Sequence, residues 1–194
     1  MVKIGFIVEG DVEKIILNSE RFQNFTKDNN LEITGIFNAG GKGNITTYKE
    51  KIVNSLVEIL KDRSTQYIII ITDLENDPCI TFTKDSIYKY DENKQLELIS
   101  VKALESWFLA DSKTMSKIFK SNFHFSNPED TEKKPFDQIR EEFINRTDRG
   151  VSKSKNMLAK KMKKNGFSVL NAADHPKCKS AKYFVEKLVQ LSMQ

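Results

Sequence analysis

The run Lys3-Ile4-Gly5-Phe6-Ile7-Val8-Glu9-Gly10-Asp11-Val12-Glu13-Lys14-Ile15-Ile16-Leu17 decides the fold. Its first part, Lys3 to Val8, is short, apolar and rich in β-formers, and reads as a strand. Glu9-Gly10-Asp11 interrupts it, after which Val12, Ile15, Ile16 and Phe22 recur at helical spacing and predict a first helix. A strand passing to a helix through a tight glycine turn opens a βαβ unit. The carboxyl end of the strand and the amino end of the helix then meet at the sheet edge where open α/β folds bind ligands. A carboxylate at that edge, Glu9, can act as a cation ligand, as a proton donor or acceptor, or as a helix-start residue favoured by the macrodipole.

Outward from this run, Leu31 to Asn38 reads as a second strand, followed by the loop Ala39-Gly40-Gly41-Lys42-Gly43. A helix is predicted next, with Ile45, Tyr48, Ile52, Leu56, Ile59 and Leu60 on its apolar face. Tyr67 to Ile71 is apolar without alternation, as expected of a strand buried on both faces of a parallel sheet. Strands and helices thus alternate up to Asp73, which predicts a wound α/β sheet with right-handed crossovers. Cys79 to Gln95 reads as a hairpin-like insertion or mobile loop, Leu96 to Val101 as a fourth strand, and Lys102 to Asp111 as a helix. Short helices and loops are expected over Ser112 to Thr147, with a turn at Asn127-Pro128-Glu129-Asp130. A basic helix from about Ser152 to Lys164 should stop at Asn165-Gly166. A last helix, Ala181 to Leu191, should dock through Ala181, Phe184, Val185 and Leu188. The expected architecture is a Rossmann-like α/β core over residues 1–111 with a mostly parallel sheet and helices on both faces. A helical extension, residues 112–194, packs on it.

At 194 residues the chain can bury a full core. Hydrophobic residues at 39% and charged residues at 30% describe a globular chain, and its net charge of +4 is too small to name a partner. No apolar run approaches the ~20 residues of a membrane span, and no leader-like layout precedes the first strand, so a cytoplasmic protein is expected. Cys79 and Cys178 are isolated, which makes neither a disulfide framework nor a zinc site.

Two acidic groups follow predicted strands: Glu9, Asp11 and Glu13 after the first, and Asp73, Glu75 and Asp77 after the third. If those strands are neighbours, the groups converge. Carboxylates so close repel unless a cation lies between them, and oxygen ligands suit Mg²⁺ or Mn²⁺. The plainer reading is that acids near a helix start stabilise it and that residues 73–77 form a polar turn. The glycine loop fails the G-x-x-x-x-G-K-[ST] template, with Ile36 and Gly43 at the mismatched positions, but its amides and Lys42 could still touch a phosphate. Arg149 to Lys164 holds seven basic residues and no acid. It is either a solvated helix face or a phosphate-contact surface, through Lys153, Lys155, Lys160 and Lys164. His124 and His175 are expected at the surface.

Val8-Glu9-Gly10-Asp11-Val12-Glu13, with an apolar strand ending in Asp73-Leu74-Glu75, resembles the Toprim domain. This is the metal-binding α/β module of topoisomerases, bacterial primases and overcoming-lysogenization-defect (OLD) nucleases. Glu9 matches the family glutamate and Asp73 its first aspartate; Glu75 departs from the second aspartate by one methylene. Glu13 is similar to the OLD variant. Lys102 to Asp111 and Val151-Ser152-Lys153 resemble a small stand-alone bacterial Toprim-like family of unknown function, whose members often sit beside ATPase genes.

The resemblance implies a Mg²⁺- or Mn²⁺-dependent phosphodiesterase acting on DNA or RNA, as an effector in phage defence with an ATPase partner. Glu9, Asp73 and Glu75 would hold one cation, and Glu13 and Glu105 a second. Alternatively, Glu9 would serve instead as general acid or base; Lys153 or Lys155 would offset charge on the phosphate. Trp107 and Phe108, beside Glu105, are either core or part of the ATPase-docking surface. The rival reading is a non-catalytic Toprim-like protein that binds nucleic acid or the ATPase. A receiver domain phosphorylated on Asp73 fits less well, because Gly10 separates Glu9 from Asp11.

Overall fold

The computed structural model describes residues 1–147, 150–151 and 154–193. Ser152 and Lys153, and with them the start of the expected basic helix and its candidate catalytic lysine, lie outside the described residues. Four strands, β1 (Val2–Val8), β2 (Leu31–Asn38), β3 (Tyr67–Asp73) and β4 (Gln95–Ser100), form one sheet in the order β2-β1-β3-β4. All three pairings are parallel. The α/β architecture with helices on both faces is therefore as the sequence predicts. Strands β1 and β3 are neighbours, and the chain leaves β1 to one side for β2 and returns across it to β3. The crevice between their carboxyl ends is the topological switch point.

One sheet face carries Ile4, Phe6, Val8, Ile69, Ile71 and Leu98 against the larger helical layer. This layer comprises α1 (Asp11–Leu17), α2 (Glu20–Asp28), α5 (Glu105–Ala110), α6 (Ser112–Phe119), α7 (Pro135–Thr147), α8 (Lys155–Asn165), α9 (Val169–Ala173) and α10 (Lys179–Leu191). The other face carries Ile7, Ile68, Ile70 and Ile99 against Val53, Val57 and Leu60 of α3 (Glu50–Asp62). Period-two alternation sends successive strand residues to the two layers, so every residue of Ile68–Ile71 is buried. Gly5 lets α3 approach β1: a Cβ there would lie 2.5 Å from Leu60 Cδ2.

Several sequence expectations are corrected. The first helix is two helices, because Asn18 ends α1 and Ser19 caps α2 by accepting from the Phe22 amide. The buried face of α3 is Val53, Val57 and Leu60, whereas Tyr48 is 93% exposed and Ile52 and Ile59 face solvent. The helix begins only at Glu50, after 3-10 turns at Lys42–Asn44 and Thr47–Lys49, so a period projected from Ile45 runs out of phase. Within residues 79–95 lies a helix, α4 (Ile80–Ser86), in place of a hairpin or loop. The expected helix from Lys102 starts at Glu105, since Lys102 takes a left-handed turn at φ 63°. Trp107 and Phe108 are core: both are buried, and the indole N–H donates to Ser180 Oγ. His175 is buried and stacks on His124.

The long C-terminal helices are fastened by two carboxylates. Asp111 is fully buried and accepts from the Thr114 and Ser168 amides, the Thr114 hydroxyl and the Asn171 amide group. Glu129 accepts from the Lys179 and Ser180 amides and so satisfies the amino end of α10. Among the described residues no helix is long and apolar enough to cross a membrane.

Candidate active site at the carboxyl edge of the sheet

Register places the site. Val8 pairs with Ile71, and the Glu9 amide continues the ladder by donating to the Ile71 carbonyl, so Glu9 leaves β1 beside the end of β3. Its Oε2 accepts from the Thr72 hydroxyl at 2.6 Å and the Asp73 amide at 3.2 Å. Asp73 pairs with Ser100 across β3 and β4; its Oδ1 accepts from the Ser100 hydroxyl and, at 2.9 Å, from the Leu104 amide. Glu13, one turn into α1, reaches back so that Oε2 accepts from the Gly10 amide at 3.1 Å, half of a capping box. Glu105 begins α5 just beyond the end of β4 and is 1% exposed.

The structure therefore brings Glu9, Glu13, Asp73 and Glu105 together, and three of these four carboxylates are buried. Burial pushes Glu13 up from 4.5 to about 7, with the nearby charges of Glu9 and Glu105 adding to the rise. Burial likewise pushes Asp73 well above the ordinary carboxylate range, helped by the charges of Glu13, Glu105 and Glu9. Lys155 answers this charge with its Nζ 3.0 Å from Glu105 Oε1, an oxygen that accepts no well-aligned hydrogen bond. Burial disfavours the ammonium, but the charges of Glu105, Asp73 and Glu13 outweigh it and raise Lys155. Helix α8 packs on α1, and there the Asn156 amide group donates to Asp11 Oδ2 and fixes the level of Lys155.

The remaining candidates lie at the border of this cluster or away from it. Glu75 is exposed, in a left-handed turn at φ 51°, and borders the cluster. Asp11 is held by Asn38 and Asn156, and Asp77 by Lys42 and Thr83. Lys42 turns inward, donating to the carbonyls of Asp73 and Leu74 and pairing with Asp77 at 2.8 Å. Its observed contacts brace the loop after β3. Lys160 and Lys164 are exposed on α8. Thr72, Ser100 and Asn156, which orient the carboxylates and Lys155, carried no sequence signal, because their partners are remote in the chain. Only strand register could have pointed to Ser100.

No family model, curated protein or solved structure matches the chain. Hard oxygen donors, buried and mutually repelling with one ammonium among them, suit a divalent cation in chemistry. In arrangement they fall short of a formed cage: among the described residues no three acidic, histidine or cysteine side chains group tightly enough to hold one metal. Glu9, Glu13 and Asp73 each engage protein donors through one oxygen, and a carboxylate so held keeps lone pairs for a further ligand.

Proposed function

We propose that this chain is a Toprim-like, Mg²⁺- or Mn²⁺-dependent phosphodiesterase acting on nucleic acid. The observation that carries the reading is the convergence of Glu9, Glu13, Asp73 and Glu105 at the β1–β3 switch point, with Lys155 beside them. Asp73 and Glu9 would hold the cation, with Glu13 and Glu105 next to it and Glu75 at the border. When bound, such a cation polarises a phosphoryl oxygen and lowers the pKa of attacking water. The chain's own residues supply the rest. Thr72 and Ser100 donate hydroxyl hydrogen bonds to Glu9 and Asp73. In the cation-free protein the pKa of Glu13 is raised to about 7 by burial and by its acidic neighbours. Lys155 would offset negative charge developing on phosphate oxygens once a substrate draws it from Glu105. A role in phage defence beside an ATPase is the biological setting the resemblance suggests.

The specific observation favouring the rival, a non-catalytic nucleic-acid- or ATPase-binding protein, is that among the described residues the carboxylates form no ready three-ligand cage. One experiment separates the two. Labelled single-stranded and duplex DNA and RNA are incubated with the protein in Mg²⁺, Mn²⁺ or EDTA, alongside Asp73→Asn. Cleavage that needs the cation and vanishes in Asp73→Asn supports the enzyme. Binding without cleavage under every condition leaves the rival.

A further inference from the structure

Beside the carboxylates lies a cavity of about 240 Å³. Part of its lining, Glu75, Glu105 and Lys155, belongs to the site described above. Another part is the first turn of α7, where Pro135 and Phe136 follow Lys134, and Lys102 completes this side. The two parts differ in chemistry. The first is acidic with one ammonium. The second offers cations, the amino end of a 13-residue helix and an aromatic ring. Lys102 Nζ donates to the Thr131 carbonyl and ties the approach of α7 to the turn after β4. Lys133 pairs with Glu141, while Lys134 has no ion pair among the described residues. Phe136 is half-buried, with the Arg140 guanidinium 6.0 Å from its ring centroid. The acids nearby are Glu132 and Asp137, and Asp137 pairs with Arg140 at 3.5 Å.

We propose that this cavity receives one nucleotide of a single-stranded nucleic acid, its base against Phe136 and its phosphate toward Lys134 and the amino end of α7. The adjoining phosphodiester would then lie at the carboxylate site. A single unstacked base can enter such a cavity beside Phe136. Single strands are bound without reading sequence by aromatic rings beside positive charge; here Phe136 lies close to Lys134, whose ammonium has no ion pair among the described residues. A duplex offers its backbone and groove edges but no base face to an aromatic ring, because its bases are stacked. The inference rests on the phosphodiesterase reading for its purpose, but its claim concerns binding and is tested without turnover.

The test is fluorescence anisotropy in EDTA with a short labelled single-stranded DNA, the RNA of the same sequence, and the DNA duplex. Wild type is compared with Phe136→Leu, Phe136→Tyr and Lys134→Glu, each first shown to melt as wild type does. Wild type should bind a single strand at least about tenfold more tightly than the duplex. Phe136→Leu, which keeps apolar bulk without a ring, should weaken single-strand binding about tenfold and leave the duplex unchanged, whereas Phe136→Tyr keeps wild-type affinity. Lys134→Glu should weaken binding and flatten its salt dependence. Equal affinity for single strand and duplex, or no effect of Phe136→Leu, overturns the inference. If these expectations hold but neither cation supports cleavage, the nucleotide site stands and the phosphodiesterase reading fails. Asp73-dependent cleavage with Phe136→Leu binding like wild type gives the reverse.

Discussion

Glu13→Gln should stabilise the cation-free protein at alkaline pH and do little in acid. Glu13 is 4% exposed, and burial together with Glu9 and Glu105 raises its pKa from 4.5 to about 7. An acid with a raised folded-state pKa binds its proton more tightly when folded than when unfolded. Folding therefore takes up a proton between those two values, and stability falls as pH rises through the window. Below about 4.5 both states are protonated; above about 7 both are ionised and the full cost is present. At ~1.4 kcal/mol per pH unit the cost is about 3 kcal/mol. Glutamine is neutral throughout, and its carbonyl can still accept from the Gly10 amide as Oε2 does. In EDTA at pH 8 the variant should therefore melt roughly 6–12 °C above wild type, with the two nearly coincident at pH 4.5. Urea unfolding at both pH values gives the free energies. An equal difference at the two pH values, or a variant less stable at pH 8, would refute the claim that Glu13 is held at an electrostatic cost.

Lys155→Met removes the ammonium that faces buried Glu105; the lysine is itself half exposed, so a modest loss of about 1–2 kcal/mol at pH 8 is expected by urea unfolding, shrinking in acid as the carboxylates protonate. Asp111→Ala strands the buried Thr114 and Ser168 amides and should cost about 3 kcal/mol by the same assay, without a change in cation affinity. Gly5→Val drives a side chain into Leu60 and should lower the melting temperature by several degrees or prevent folding, because α3 cannot keep its distance from β1.

Strands β1 and β3 were legible because apolar runs buried on both faces need no partner to be recognised, and their bounds differ from the predicted ones by one or two residues; the edge strand β2, mostly half-buried, nonetheless has the predicted bounds Leu31–Asn38. What failed depended on phase or on distant contacts. The α3 face was misread because two 3-10 turns precede the helix and break the period that runs through Ile45. Helix α4 was missed because Thr81, Phe82 and Thr83 form helix poorly, and only Thr83 is buried. His175 is internal because His124 stacks on it from a segment 51 residues away, a pairing no local pattern carries. The acidic positions Glu9, Glu13 and Asp73 were readable from their place after strands, since parallel pairing of β1 with β3 brings those ends together. Which oxygens are held, and by whom, was not. That depends on the register between Asp73 and Ser100 and on the packing of α8 against α1. Lys42 shows the limit: a lysine in a glycine loop invites a phosphate, yet here its ammonium meets two carbonyls and Asp77.

The central claim is that the switch-point carboxylates take a divalent cation. Calorimetric titration of Mn²⁺ into the protein at pH 8 tests it most directly, with Asp73→Asn as the comparison. Asparagine can still accept from the Leu104 amide and the Ser100 hydroxyl, so the fold should survive the change while the charge is lost. Wild type should bind Mn²⁺ saturably, with affinity at least about tenfold weaker in the variant, ~1.4 kcal/mol. Absence of binding by wild type, or equal affinity in Asp73→Asn, would contradict it.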